Sequence, residues 1–184
     1  MEVLGEYQIN APRQHVWEAL NDPEMLEKCI PGCKSLQHVR DNEFTAMVTA
    51  KIGPVQANFN TTLLLEDLNP PESYCLVGKS KAAVGFGSGS AQIHLRDNGK
   101  FTSLSYKADL KVGGKLAQVG SRLVLGATKK IADDFFAKFC TELDVAVELK
   151  DTNIKENQVS GISVVWVTIL GAILALFSLW FLLG

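Results

Sequence analysis

Between Phe44 and Leu65 every second residue is apolar or small, and a Gly-Pro pair interrupts the alternation once. Phe44, Ala46, Val48, Ala50 and Ile52 precede Gly53-Pro54, and Val55, Ala57, Phe59, Thr61, Leu63 and Leu65 follow it. A period of two puts these side chains on one face of a pleated strand, so the segment predicts an antiparallel hairpin with a single buried face. Similar patterning predicts further strands at Val3 to Ile9, Tyr74 to Lys81 and Gly85 to Arg96. Asp97-Asn98-Gly99 then turns the chain back into Phe101 to Val112. In that last strand Thr102, Leu104, Tyr106, Ala108, Leu110 and Val112 share the inward face, and Lys107, Asp109 and Lys111 the outward one.

Helical signals fall on either side of the strands. Pro12 opens a short helix through Leu20, and Asn21-Asp22-Pro23 starts a second that Ile30-Pro31-Gly32 stops near Cys29. No strand is bounded between Gly32 and Phe44. From Lys115 to about Leu143, Leu116, Val119, Leu123, Ile131, Phe135 and Phe139 recur at helical spacing, which predicts one long amphipathic helix. Strand, two short helices, antiparallel strands and a long helix define an α+β domain over residues 1–145: a curved sheet wrapped around the C-terminal helix.

The inward positions of that sheet are small. Gly85, Gly87 and Gly89 alternate down one strand, Ala46, Ala50, Ala57 and Ala108 lie on neighbouring faces, and Gly120 and Gly126 interrupt the helix. Glycine weakens strands and helices by roughly 0.5–1 kcal/mol per site, so the cluster needs a reason. Backbone bending is one, and an apolar cavity is the other. Phe59, Leu63, Leu104, Leu116, Val119, Gly120 and Leu123 are the expected lining. Tyr106 faces inward and needs a hydroxyl partner, either a backbone carbonyl or a ligand carbonyl with Thr61 or Thr102 as a second donor.

Residues 162–183, ISVVWVTILGAILALFSLWFLL, carry no charge. About 20 apolar residues span a hydrocarbon core ~30 Å thick, and Trp166 and Trp180 sit near opposite ends, where indoles favour the headgroup level. The run therefore predicts a transmembrane tail anchor. Residues 146–161 form a polar linker in which Lys150 and Lys155 alternate with Asp151 and Glu156, so no polybasic patch adjoins the anchor. Gly171 and Ala175 are spaced for helix pairing, on one weak motif. The N-terminus has no basic region followed by an apolar core, so the folded domain is expected on the cytoplasmic side of the membrane.

Composition and spacing exclude several chemistries. Eighteen basic against twenty acidic residues give a net charge of -2, and no basic stripe interleaved with aromatics suggests nucleic acid. The four cysteines, Cys29, Cys33, Cys75 and Cys140, are expected reduced, and Cys29, Cys33 and His38 lack the spacing and fourth ligand of a metal site. His15, His38 and His94 are dispersed, Ser88 and Ser90 lie on a strand without a nucleophile elbow, and GFGSG lacks the helix and Lys-Ser/Thr pair of a phosphate loop. Asp133-Asp134 reads as solvated helix face. No acid, base or nucleophile set emerges, so a binding protein is expected rather than an enzyme.

NAPRQHVWEALNDP near the start, CIPGC at 29–33, the GFGSGS strand and GGKLAQVGSRL at 113–123 together resemble the CoxG family of carbon monoxide dehydrogenase subunits, within the START-like, SRPBCC helix-grip superfamily. The resemblance covers about residues 1–145. It implies a helix-grip fold with a ligand cavity. No covalent cofactor is expected. It implies a partner, a molybdenum-containing carbon monoxide dehydrogenase or related molybdenum hydroxylase, brought to the membrane by this factor. It further implies that the cavity receives a respiratory quinone, menaquinone or ubiquinone, and passes electrons on. An adaptor with a filled cavity and a lipid-binding or cyclase-like relative are the alternatives, which fold alone does not separate.

Overall fold

The structure, a computed structural model, describes residues 1–143 and the backbone of Val147–Leu149. The linker at 146–161 falls almost wholly outside the described residues, and the apolar run at 162–183 entirely so. No helix among the described residues is long and apolar enough to cross a membrane.

The elements follow in the order β1 (Glu2–Ile9), α1 (Arg13–Leu20), α2 (Pro23–Cys29), β2 (Cys33–Arg40), β3 (Glu43–Ile52), β4 (Val55–Asn69), β5 (Ser73–Ala82), β6 (Gly85–Asp97), β7 (Thr102–Gly114), α3 (Lys115–Gln118), α4 (Ser121–Glu142) and β8 (Val147–Leu149). Eight strands form one sheet in the order β2-β3-β4-β5-β6-β7-β1-β8, antiparallel throughout. The first long strand thus pairs with the last, and α4 packs across the concave face.

Pairing register sorts the inward residues into rows that run across the sheet. Leu95, Leu104 and Tyr7 form one row, and Tyr74, Ile93, Tyr106 and Gly5 the next. Leu65, Leu76, Ala91, Ala108 and Val3 follow, and then Phe44, Leu63, Gly78, Gly89 and Leu110. The next row toward the β5–β6 turn is Ala46, Thr61, Ser80, Gly87 and Val112. Inward side chains on β6 therefore shrink from leucine and isoleucine through alanine to glycine, and on β5 from tyrosine and leucine to glycine and serine, whereas β7 keeps Leu110 and Val112 at the small end. The large end is closed by α1 and α2, where Val16, Ile9, Cys29 and Phe139 are fully buried. Trp17 meets Tyr74 edge-on at 5.5 Å, and Thr102 Oγ1 donates to the Ala11 carbonyl at 2.7 Å, tying β7 to the β1–α1 junction. Asp22 caps α2 by accepting from the Glu24 amide at 2.9 Å, ahead of Pro23 in the first turn.

Two expectations are corrected. The helix expected over Lys115–Leu143 is broken: α3 ends at Gln118, and Gly120, at φ +94°, separates it from α4. One glycine costs an exposed helix only about 1 kcal/mol, so the apolar period reads through it, whereas a positive φ cannot continue a right-handed helix. The segment left without strand bounds contains β2, an edge strand in which only Leu36 is buried. Register shifts at Cys33/Ser35 and His38/Arg40 erase its alternation.

Candidate functional site

The shrinking rows leave an interior of two chambers beneath α4. The outer chamber, about 340 Å³, is walled by Val48, Phe59, Leu63, Gly87, Leu116 and Val124, among others. The inner chamber, about 350 Å³, lies against Phe44, Leu65, Ile93, Leu104, Phe135 and Phe136. Leu63, Leu76, Ala91, Ala108 and Thr128 line both, so the chambers adjoin at a waist formed by the alanine row, two leucines and one threonine of α4. The Thr128 hydroxyl is spent on the Val124 carbonyl at 2.9 Å, which leaves the waist apolar. Each chamber reaches the lower limit of small-molecule sites, and the two in series suit an elongated apolar ligand.

Polar groups enter at a few places. In the outer chamber the Thr61 and Ser80 hydroxyls satisfy each other at 2.8 Å. In the inner chamber two phenols flank Ile93 on the same face, Tyr74 on β5 and Tyr106 on β7, two strand spacings or ~10 Å apart along the row. Tyr106 lies over Gly5, its cross-strand partner, where any Cβ would collide with the ring. It stacks near Tyr7, with centroids 6.2 Å apart, and interacts with its hydroxyl. Tyr7 in turn donates to Asp133 Oδ1 at 2.9 Å, so a polar chain runs from the cavity wall to α4. The Tyr74 hydroxyl makes no hydrogen bond to any described residue, and since no fully enclosed side-chain oxygen among them lacks a partner, it borders accessible space rather than sealed packing.

Burial pushes the pKa of Tyr74 well above the ordinary phenol value. Burial acts first on Tyr7 as well, with the Asp133 carboxylate next, and burial raises Tyr106 against the opposing Tyr7 hydrogen bond. All three phenols stay protonated near neutrality and act as hydrogen-bond donors. Burial likewise raises the thiols of Cys29 to about 11 and of Cys140 to about 12, which makes them apolar packing groups rather than nucleophiles.

The structure brings together part of the expected lining. Phe59, Leu63 and Leu116 wall the outer chamber, and Leu63, Leu104 and Tyr106 the inner one. Val119, Gly120 and Leu123 line neither: the helix break turns Val119 and Leu123 toward Gly53 at the β3–β4 turn, and Gly120 faces open space. Thr102 is corrected from ligand donor to structural tie, because the Ala11 carbonyl takes its proton. Asp133 is not simply solvated helix face, since it accepts from Tyr7. Of the glycines, Gly87 and Gly89 line the cavity, whereas Gly85 opens β6 beside Gly114 and lines neither chamber. Sequence reasoning missed Tyr74 as a site residue, and its signal was parity: counting back through both hairpin turns puts it in one row with Tyr106. His15, His38 and His94 are exposed, and among the described residues no three His, Cys, Asp or Glu side chains are placed to hold a metal.

A curved antiparallel sheet gripping a C-terminal helix over an apolar cavity defines the helix-grip, START-like class of fold. Within that class the chain belongs to the CoxG family of carbon monoxide dehydrogenase subunits, whose model matches residues 5–144. This is a family of accessory subunits, associated by name with carbon monoxide dehydrogenase. A conserved protein from Geobacillus kaustophilus is similar at 30% identity and TM-score 0.75, over 80% of this chain and 99% of that one. The Zhui aromatase/cyclase from Streptomyces sp. R1128 shares the fold at TM-score 0.60 and 11% identity, over 78% of this chain and 93% of its own. Protein CV1439 from Chromobacterium violaceum does so at TM-score 0.60 and 17% identity, over 78% and 96%. No curated protein sequence matches the chain.

Proposed function

We propose that this protein holds a molybdenum-containing carbon monoxide dehydrogenase, or a related molybdenum hydroxylase, at the cytoplasmic membrane and binds a respiratory quinone, menaquinone or ubiquinone, in its two-chambered cavity. Electrons from the enzyme then reach the respiratory chain through that quinone. The observation that carries the reading is the cavity itself: two adjoining apolar chambers whose deep end presents the phenols Tyr74 and Tyr106. A quinone has the matching chemistry, a ring with carbonyl acceptors on an isoprenoid tail. The redox chemistry belongs to the ligand and the enzyme, and this chain's residues bind and orient. Membrane attachment rests on the uncharged run at 162–183, which serves as a single-pass anchor and raises the local concentration of the enzyme at the bilayer. The aromatase/cyclase likeness, at 11% identity, speaks for the fold alone.

Full-length protein purified in mild detergent should carry quinone that solvent extraction and mass spectrometry detect. Ala108→Leu, which fills the waist, should abolish that cargo while leaving enzyme recruitment to membranes intact. Equal cargo in both proteins, or none in the wild type after incubation with quinone-loaded liposomes, refutes the ligand reading.

A further inference from the structure

The ends of the sheet differ in charge. Residues 44–65, 73–96 and 110–132 contain no Asp or Glu, in a chain whose overall charge is -2. The fold converges parts of these three stretches at one end: the β3–β4 turn at Gly53-Pro54, the β5–β6 turn at Ala83-Val84, and the passage from β7 through α3 into α4. Lys51, Lys81, Lys111, Lys115 and Arg122 are all exposed there. The nearest carboxylates on the sheet are Asp109, five residues back along β7 from Gly114, and Glu2, which is engaged by Lys107 at 2.7 Å. Each strand residue rises ~3.3 Å, so both lie well behind the tips.

The same end exposes large apolar side chains. Phe86 is 53 % exposed, with its ring over Gly113 and Lys81 as its cross-strand partner on β5. Leu123 is 49 % exposed and packs against Gly53, so the β3–β4 turn rests on the start of α4. Between these features lie the outer-chamber residues Ile52, Val112 and Leu116. Basic side chains ringing exposed apolar tips match an interface of anionic headgroups over acyl chains. Nucleic acid would ask for aromatic stacking platforms, and Phe86 is the one exposed aromatic at this end among the described residues.

We propose that this end of the sheet docks on an anionic lipid bilayer, with Phe86 and Leu123 entering the headgroup layer, Lys81, Lys111, Lys115 and Arg122 meeting lipid phosphates, and the outer chamber facing the membrane. The assignment rests on charge and exposed apolar surface, and it holds whatever ligand the cavity takes.

Hydrogen–deuterium exchange on the full-length protein tests it in phosphatidylcholine vesicles with and without phosphatidylglycerol. Amides of residues 82–86 and 114–123 should exchange at least several-fold more slowly only when phosphatidylglycerol is present, and added salt should reverse the slowing. Combined Lys81→Glu, Lys115→Glu and Arg122→Glu should erase the effect, each site weakening docking by about five-fold or more. Phe86→Ser should diminish it without a charge change. These side chains are exposed, and unchanged exchange in β1 and α4 beyond Val124 verifies folding. Equal exchange in both vesicle types, protection that survives the charge reversals, or protection that appears only on adding an acidic protein overturns the proposal. Quinone content, measured separately, is free to fail without affecting this result.

Discussion

The two ends of the sheet share a backbone plan and differ in what fills it. At the end closed by α1 and α2, rows of leucine and aromatic residues meet Trp17, Phe136 and Phe139, and Thr102 ties β7 to the chain beside Ala11. At the other end the corresponding rows hold Gly78, Gly87 and Gly89, and the space they vacate is the outer chamber. Stability is concentrated where the side chains are large, and binding capacity where they are small. The difference shows how side-chain size along continuously paired strands, β5 and β6 above all, opens a cavity at one end of a sheet.

The largest effect should come from truncating the filled end. Phe139→Ala removes a fully buried ring and should lower unfolding free energy by about 3–5 kcal/mol, read by urea denaturation. Val124→Ala on the chamber wall should lose only about 1 kcal/mol, because it removes two methyl groups that lack packed neighbours on the chamber side. Equal losses would dissolve the contrast between the ends. Next in size, Ala108→Leu at the waist should reduce uptake of a quinone by at least about ten-fold, while the melting temperature moves by only a few degrees. Tyr74→Phe sharpens the comparison within the inner chamber. Its hydroxyl has no partner among the described residues, so stability should hold or rise slightly, while affinity for a carbonyl ligand should fall by a few-fold in equilibrium titration.

The smallest effect near neutrality is that of pH, and it belongs to the filled end. Folding holds the Cys29 and Cys140 protons more tightly than the ordinary thiol value of 9.0, with pKa values raised to about 11 and about 12. Their contribution is complete below pH 9 and is lost as pH climbs through the folded-state values. Chemical denaturation should therefore give level stability from these groups up to pH 9 and a decline between pH 9 and about 12. Cys29→Ala with Cys140→Ala should flatten that decline.

Much of the fold was legible because the informative segments have one buried face. The β3–β4 hairpin, the turn at Asn98-Gly99 and the inward face of β7 follow from alternation and turn chemistry alone. β2 was hidden because an edge strand with two register shifts buries little, and the break at Gly120 because a single glycine hardly disturbs an apolar period. The site was legible as a cluster of small residues, which is how Phe59, Leu63, Leu104, Tyr106 and Leu116 were reached. Tyr74 and the basic end required the pairing of β5 with β6 and of β6 with β7, since residues far apart in the chain become neighbours only through register. The absence of Asp and Glu from three long stretches was present in the sequence, but its meaning depends on those stretches ending at one place.

Ile9 pairs with Thr102 and Glu2 with Asp109, so β1 takes its seat only beside the last long strand. During synthesis at ~5–20 residues per second, the apolar positions Val3, Tyr7 and Ile9 wait on the order of ten seconds for a neighbour. Such separation in sequence slows closure of the sheet and leaves β6 with an open edge until β7 is made. A nascent chain stalled before residue 102 should accordingly be a substrate for chaperones, and one in which α4 has also emerged, supplying Phe136 and Phe139 to the core, should not.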